Sequence, residues 1–146
     1  MPRIERSAST IWEGNLARGS GSLGAASGAF AELAFSLATR VGDPDGKTSP
    51  EELLAAAHAG CFTMSLAGEL TKAGTPPGRL DIGCTIVMDE VEGQGHQIVG
   101  SRVTVRAAVD DIDERLLDAA IERADAECPF SALLKRAGAE VTIGRG

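Results

Sequence analysis

Tyrosine is absent from this chain, and one tryptophan with four phenylalanines brings the aromatics to only 3% of its 146 residues. A surface that stacks bases needs such rings beside a basic patch. The charge runs the other way, with 14 Lys and Arg against 21 Asp and Glu for a formal −7. Nucleic acid is therefore not an expected partner, and solubility accounts for the acidic excess. Histidine is scarce too, and the three cysteines and two histidines show no C-x-x-C pair or other metal-ligand spacing. That speaks against zinc, and nothing else asks for a cofactor. The stretch MPRIERSAST lacks the apolar run of a signal peptide, so a cytoplasmic protein with reduced thiols is expected. No segment reads as apolar enough to span a bilayer, since the best candidate is interrupted by Glu, His, Ser and Gly.

What is present is organised around Ser49 to Gly74, SPEELLAAAHAGCFTMSLAGELTKAG. Ser49 suits an N-cap, Pro50 the first helical position, Glu51 and Glu52 the positive end of the helix dipole, and Gly74 the stop. A helix of about seven turns is predicted. Leu53, Leu54, Ala56, Ala57, Gly60, Cys61, Phe62, Met64, Leu66 and Ala67 cover most of its circumference, the pattern of a buried helix. Between Ala55 and Gly60 nearly every residue is small, which lets another backbone come close.

The rest of the chain fits one domain over residues 1–146, long enough for a real core. Three short strands are expected first: Ala8 to Trp12, then Leu16 to Leu23 after a turn at Glu13-Gly14-Asn15, then Phe30 to Leu37. Arg40 to Gly46 is a loop by composition. After the helix, Leu80, Ile82, Cys84, Ile86 and Met88 alternate with polar residues, and Val99, Val103, Val105, Ala107 and Val109 do so beyond the Gly93 and Gly95 turn. This is an antiparallel pair with one buried face, its Arg102 and Arg106 side solvated. Asp111 or Asp113 caps a helix carrying Leu117, Ala120, Ile121 and Ala124, a second helix runs from Phe130 to Ala137, and Ala139, Val141 and Ile143 form a closing strand. The fold class is α+β.

The cysteines differ in setting. Cys84 is in phase with Leu80, Ile82 and Ile86 and reads as a small core residue. Cys128 stands before Pro129 at a helix start, where backbone N–H groups and the dipole favour a thiolate, and reactive and structural readings balance. Burial of Cys61 in mid-helix raises a thiol above its free value near 8.5. Chemistry there needs a cation from another segment, and Arg40 and Arg18 are the candidates. His58, three residues before Cys61, makes a Cys-His hydrolase dyad conceivable, although a packed, satisfied histidine is the plainer role. His96, in a turn, reads as solvated.

The run Ser49-Pro50-Glu51-Glu52-Leu53-Leu54-Ala55-Ala56-Ala57-His58-Ala59-Gly60-Cys61-Phe62, with Cys128-Pro129 far downstream, resembles the OsmC/Ohr family of osmotically inducible and organic-hydroperoxide-resistance proteins. Trp12-Glu13-Gly14 and Thr39-Arg40 resemble its osmotically inducible branch. The resemblance implies an α+β fold with antiparallel sheets around a long buried central helix, in an intertwined homodimer. It implies a thiol-dependent peroxidase in which Cys61 attacks an organic hydroperoxide and Cys128 resolves the sulfenic acid as a disulfide. Glu51 and Arg40, with Arg18 as the fallback, are implied as the groups that activate the thiolate, and a dithiol such as a lipoylated protein as the reductant. On one straight helix Glu51 and Cys61 stand about 15 Å apart along the axis. Two central helices packed antiparallel across a two-fold axis would bring Glu51 of one chain toward Cys61 of the other. A cysteine hydrolase using His58, and an apolar-ligand binder with inert thiols, are the alternatives.

Overall fold

Ser, Thr, Ile and Trp give the segment Ala8–Glu13 its extended conformation, and it forms strand β1 of the computed structural model, which describes residues 1–146. β1 pairs antiparallel with β2 (Ser20–Ala25), and β2 with the short β3 (Leu33–Phe35). Gly21 lies opposite Trp12 on one side and Phe35 on the other, and the two rings meet over it at 5.6 Å between centroids. A Cβ at Gly21 would stand 2.5 Å from the Phe35 ring, so only glycine admits this pairing. The β1–β2 turn is longer than expected. Asn15 draws Leu16 to Arg18 out of the strand, its carbonyl accepting from Gly19 N at 2.7 Å and its Oδ1 from Arg18 N at 2.9 Å. The third strand is also cut short, because the Ser36 hydroxyl accepts from Thr39 N and caps a short helix α1 (Leu37–Val41). Arg40 is thus helical, not part of a loop. These elements make up one compact unit, Met1–Pro50.

The second unit is Glu51–Gly146. Helix α2 (Pro50–Lys72) runs unbroken for 23 residues. At that length, and with a mean hydropathy of 1.2 over its most apolar 18 residues, it is by length and composition long and apolar enough to cross a membrane, which corrects the expectation from sequence. Glu51 and Glu52 are gathered in its first turn, and of the interrupting residues His58 and Glu69 are buried. Its buried residues mark a core helix all the same. His58, Phe62, Leu66, Glu69 and Leu70 form one stripe, and Glu69 is held by Lys72 Nζ at 2.9 Å and Arg123 Nε at 3.0 Å. Paired in this way, a carboxylate tolerates burial. The helix is not buried all round. Ala56, Gly60 and Met64 are exposed, Met64 by 73%.

Strands β4 (Arg79–Val91) and β5 (Gly95–Ala108) form the expected antiparallel pair, with a bulge at Val87/Met88 that breaks the alternation. Helix α3 (Glu114–Glu127) starts where Asp113 accepts from Leu116 N at 2.8 Å, and α4 (Pro129–Arg136) follows at once. The closing strand β6 (Glu140–Arg145) lies parallel to β5. Two helices between them carry the chain back to the starting end, which a tight hairpin cannot do. Phe62, Leu66 and Leu70 of α2, Val103 and Val105 of β5, and Ala120, Ile121 and Ala124 of α3 close the core around Cys128. Each large apolar side chain buried there contributes about 1.5–3 kcal/mol.

Candidate active site

Cys128 is the single residue between two helices and caps both. It is the C-cap of α3, its N–H bonded to the Asp125 carbonyl at 3.4 Å, and the N-cap of α4, its sulfur accepting from Ser131 N at 3.5 Å. Pro129 at the first position of α4 has no N–H to satisfy. The next two N–H groups have work to do, since the orphan donors of a helix start need acceptors. Ser131 gives its N–H to Cys128, and the Phe130 backbone gives a hydrogen bond to Cys61. One helix end thus serves two sulfurs, and the Cys128 side chain is itself a hydrogen-bond partner of Cys61. Both are free thiols, Cys128 fully buried and Cys61 partly so.

Electrostatically the site is unfinished. Burial, first of all, and then the Cys128 side chain push the Cys61 thiol up, while the Phe130 backbone pulls it down. A thiolate that attacks needs more help than this unit gives.

Behind the thiols lies a buried polar chain. His58, fully buried, has Nδ1 2.7 Å from Ser101 Oγ and Nε2 2.8 Å from Ser131 Oγ. Both serines are themselves inaccessible. Burial pushes the His58 ring toward neutrality; Asp125 opposes this and Lys135 reinforces it. Cys84 joins the far end, 3.2 Å from Ser101 Oγ and 3.8 Å from His58 Nδ1. It packs against the core as expected, yet it is also a polar partner, and burial raises its thiol.

Of the residues singled out from sequence, the structure brings Cys61 and Cys128 together. Glu51 sits in the first turn of α2, on the same helix as Cys61. The rise per residue puts it about 15 Å away along the axis. Arg40 lies in the last turn of α1, and Arg18 in the β1–β2 turn; both belong to the first unit. His58 is packed and satisfied, as the plainer reading had it, with both ring nitrogens engaged by serines. His96 is exposed, 3.4 Å from Glu90. Ser101, Phe130 and Ser131 escaped the sequence reading. Ser101 had left a trace, a hydroxyl in phase with Val99, Val103 and Val105.

The fold and the thiol pair define a class: an α+β protein that sets a cysteine of its long helix beside another at the junction of two later helices. The architecture is that of OhrB, the organic hydroperoxide resistance protein of Bacillus subtilis, at a TM-score of 0.73 and 21% identity over 96% of this chain and 98% of that one. It is also that of an OsmC-like protein of unknown function from Vibrio cholerae, at a TM-score of 0.79 and 12% identity over 99% and 100% of the two chains. In sequence the chain is 36% identical over 140 residues to Peroxiredoxin OsmC of Escherichia coli strain K12, covering 96% of this chain and 94% of that protein. The model of the OsmC-like protein family matches residues 42–144. The chain belongs to the OsmC-like protein family.

Proposed function

We propose that this protein is a two-cysteine peroxidase for organic hydroperoxides, and the observation that carries the reading is the meeting of Cys61 and Cys128 at the start of α4. The Cys61 thiolate attacks the terminal peroxide oxygen. An S–O bond forms, the O–O bond breaks, and the alkoxide leaves as alcohol after taking a proton, so that sulfur is oxidised to sulfenic acid and the peroxide is reduced. Cys128 then forms the disulfide and water departs. A dithiol, of the lipoylated-protein kind, returns both thiols in a reducing cytoplasm.

Arg40 is our candidate for the cation, because a guanidinium holds thiolate and peroxide oxygen together in one fork, and Glu51 is the group that orients it. Glu51 cannot reach its own Cys61, so the reading includes a homodimer with antiparallel central helices. The exposed Ala56, Gly60 and Met64 stripe supports it, as a Cβ at Gly60 would meet nothing within 4 Å. The relative named peroxiredoxin and the family match favour the peroxidase over the alternatives. A Cys61–His58 hydrolase is disfavoured by the serines on both ring nitrogens.

The test is thiol counting with intact mass after one equivalent of cumene hydroperoxide. Wild type should lose two thiols, Cys128→Ser should stop at a sulfenic acid or its overoxidised products, and Cys61→Ser should not react. Three unchanged thiols in wild type would overturn the peroxidase.

A further inference from the structure

We propose that His58 is a positioning residue for the resolution step: by holding Ser131 it fixes the first turn of α4 and so aims the Cys128 sulfur at Cys61. The proposal rests on the peroxidase reading and adds to it a role for a residue that the two-cysteine chemistry leaves unused.

The argument starts from what a neutral imidazole can do. It carries one donor and one acceptor on opposite sides of a rigid ring, so between two hydroxyls it is a spacer of fixed length. Here it spans β5 and α4, with Ser101 at 2.7 Å and Ser131 at 2.8 Å. Ser131 is the residue whose N–H reaches the Cys128 sulfur. The hydroxyl and the amide of one residue thus tie the histidine to the resolving thiol. Every member is buried, and in such surroundings a satisfied chain of hydrogen bonds is stiff while a broken one leaves costly orphan groups.

Stiffness matters most at the second step. Cys61 is set by the backbone of α2, which does not depend on Ser131. Cys128 instead must present its sulfur along the line of the sulfenic S–O bond. In that step the Cys128 sulfur forms a bond to the Cys61 sulfur, the S–O bond breaks, and the hydroxide leaves as water with the proton of the Cys128 thiol; Cys61 is reduced and Cys128 oxidised, the organic hydroperoxide having supplied the oxidising equivalent. Disulfides form only within a narrow geometry. A loosened α4 would therefore slow resolution and spare the first oxidation.

The experiment separates the two steps by rapid quench with N-ethylmaleimide and intact mass after one equivalent of cumene hydroperoxide, with dimedone as the sulfenic trap. His58→Ala and Ser131→Ala should each form sulfenic acid within about threefold of the wild-type rate and close the disulfide at least about tenfold more slowly, accumulating dimedone adduct. The double variant should be no slower than either single one, because both break the same link. His58→Gln, which keeps a donor and an acceptor, should recover part of the rate. Disulfide closure at the wild-type rate in the variants overturns the proposal, and so does equal slowing of both steps, the mark of general loosening. If His58→Ala does not fold, Ser131→Ala alone carries the test. A wild type that keeps all its thiols would overturn the peroxidase reading itself, a result distinct from either.

Discussion

Phe130, beside the proline that opens α4, gives its backbone hydrogen bond to Cys61, a residue on a helix half the chain away. This bond opposes the burial that raises the thiol. Phe130→Pro deletes the donor in the first turn of α4, where no intrahelical bond is lost with it, and Phe130→Ala, which keeps it, controls for the lost ring. Hydrogen bonds to charged groups are worth about 1.5–3 kcal/mol. Cys61 in the proline variant should thus be alkylated by iodoacetamide near pH 8 roughly tenfold more slowly than in the alanine variant, read by mass at Cys61.

The Arg assignment is open to direct comparison. Loss of the cation that faces the thiolate removes a favourable charge and raises the thiol further. Alkylation of Cys61 followed against pH should shift upward in Arg40→Ala and stay in place in Arg18→Ala. The reverse pattern would transfer the role to Arg18.

His58 predicts a pH dependence of stability. Ser101, Ser131 and Cys84 surround the ring, with Asp125 and Lys135 acting on it from α3 and α4, and its pKa lies below the ordinary value of 6.5. As pH falls through 6.5 the unfolded chain binds a proton that the folded one refuses, so stability drops, and the loss levels off only below the folded value. Urea midpoints between pH 7.5 and 5 should fall in wild type and fall less in His58→Gln. Parallel slopes would place the dependence on other groups.

The exposed stripe of α2 gives a test of assembly. Gly60 has open space beyond it within the chain, so Gly60→Leu should leave the fold of one chain unstrained and even favour the helix. Against a second helix at close approach it should clash. Light scattering after gel filtration should show wild-type dimers and largely monomeric Gly60→Leu; a dimeric variant would place the contact elsewhere.

How much of this was legible in the sequence depends on which force wrote it. Alternation and capping residues located α2, β4, β5 and both late helices, with Asp113 chosen over Asp111, because periodicity and caps are local. Leu16 and Arg40 were harder: Asn15 and Ser36 bend the backbone through side-chain hydrogen bonds that a hydropathy pattern does not carry. Ala56, Gly60 and Met64 looked buried because composition says that a surface is apolar, not what covers it. The pairing of Cys61 with Cys128 followed from family resemblance, and Phe130 could follow from neither, since a backbone amide has no letter of its own. Ser131 belongs to both cases: its hydroxyl was visible, but its partner lay on another helix.

The junction at Cys128 has a final consequence, for the lengths this chain can tolerate. Connections between helices ordinarily accept insertions and deletions. Here one residue closes α3 and opens α4, so there is no slack to absorb a change. One added residue would turn α4 by about 100° about its axis, withdrawing the Phe130 amide from Cys61 and the Ser131 hydroxyl from His58 together. The spacing of this corner is thus as much a part of the site as the identities of its residues.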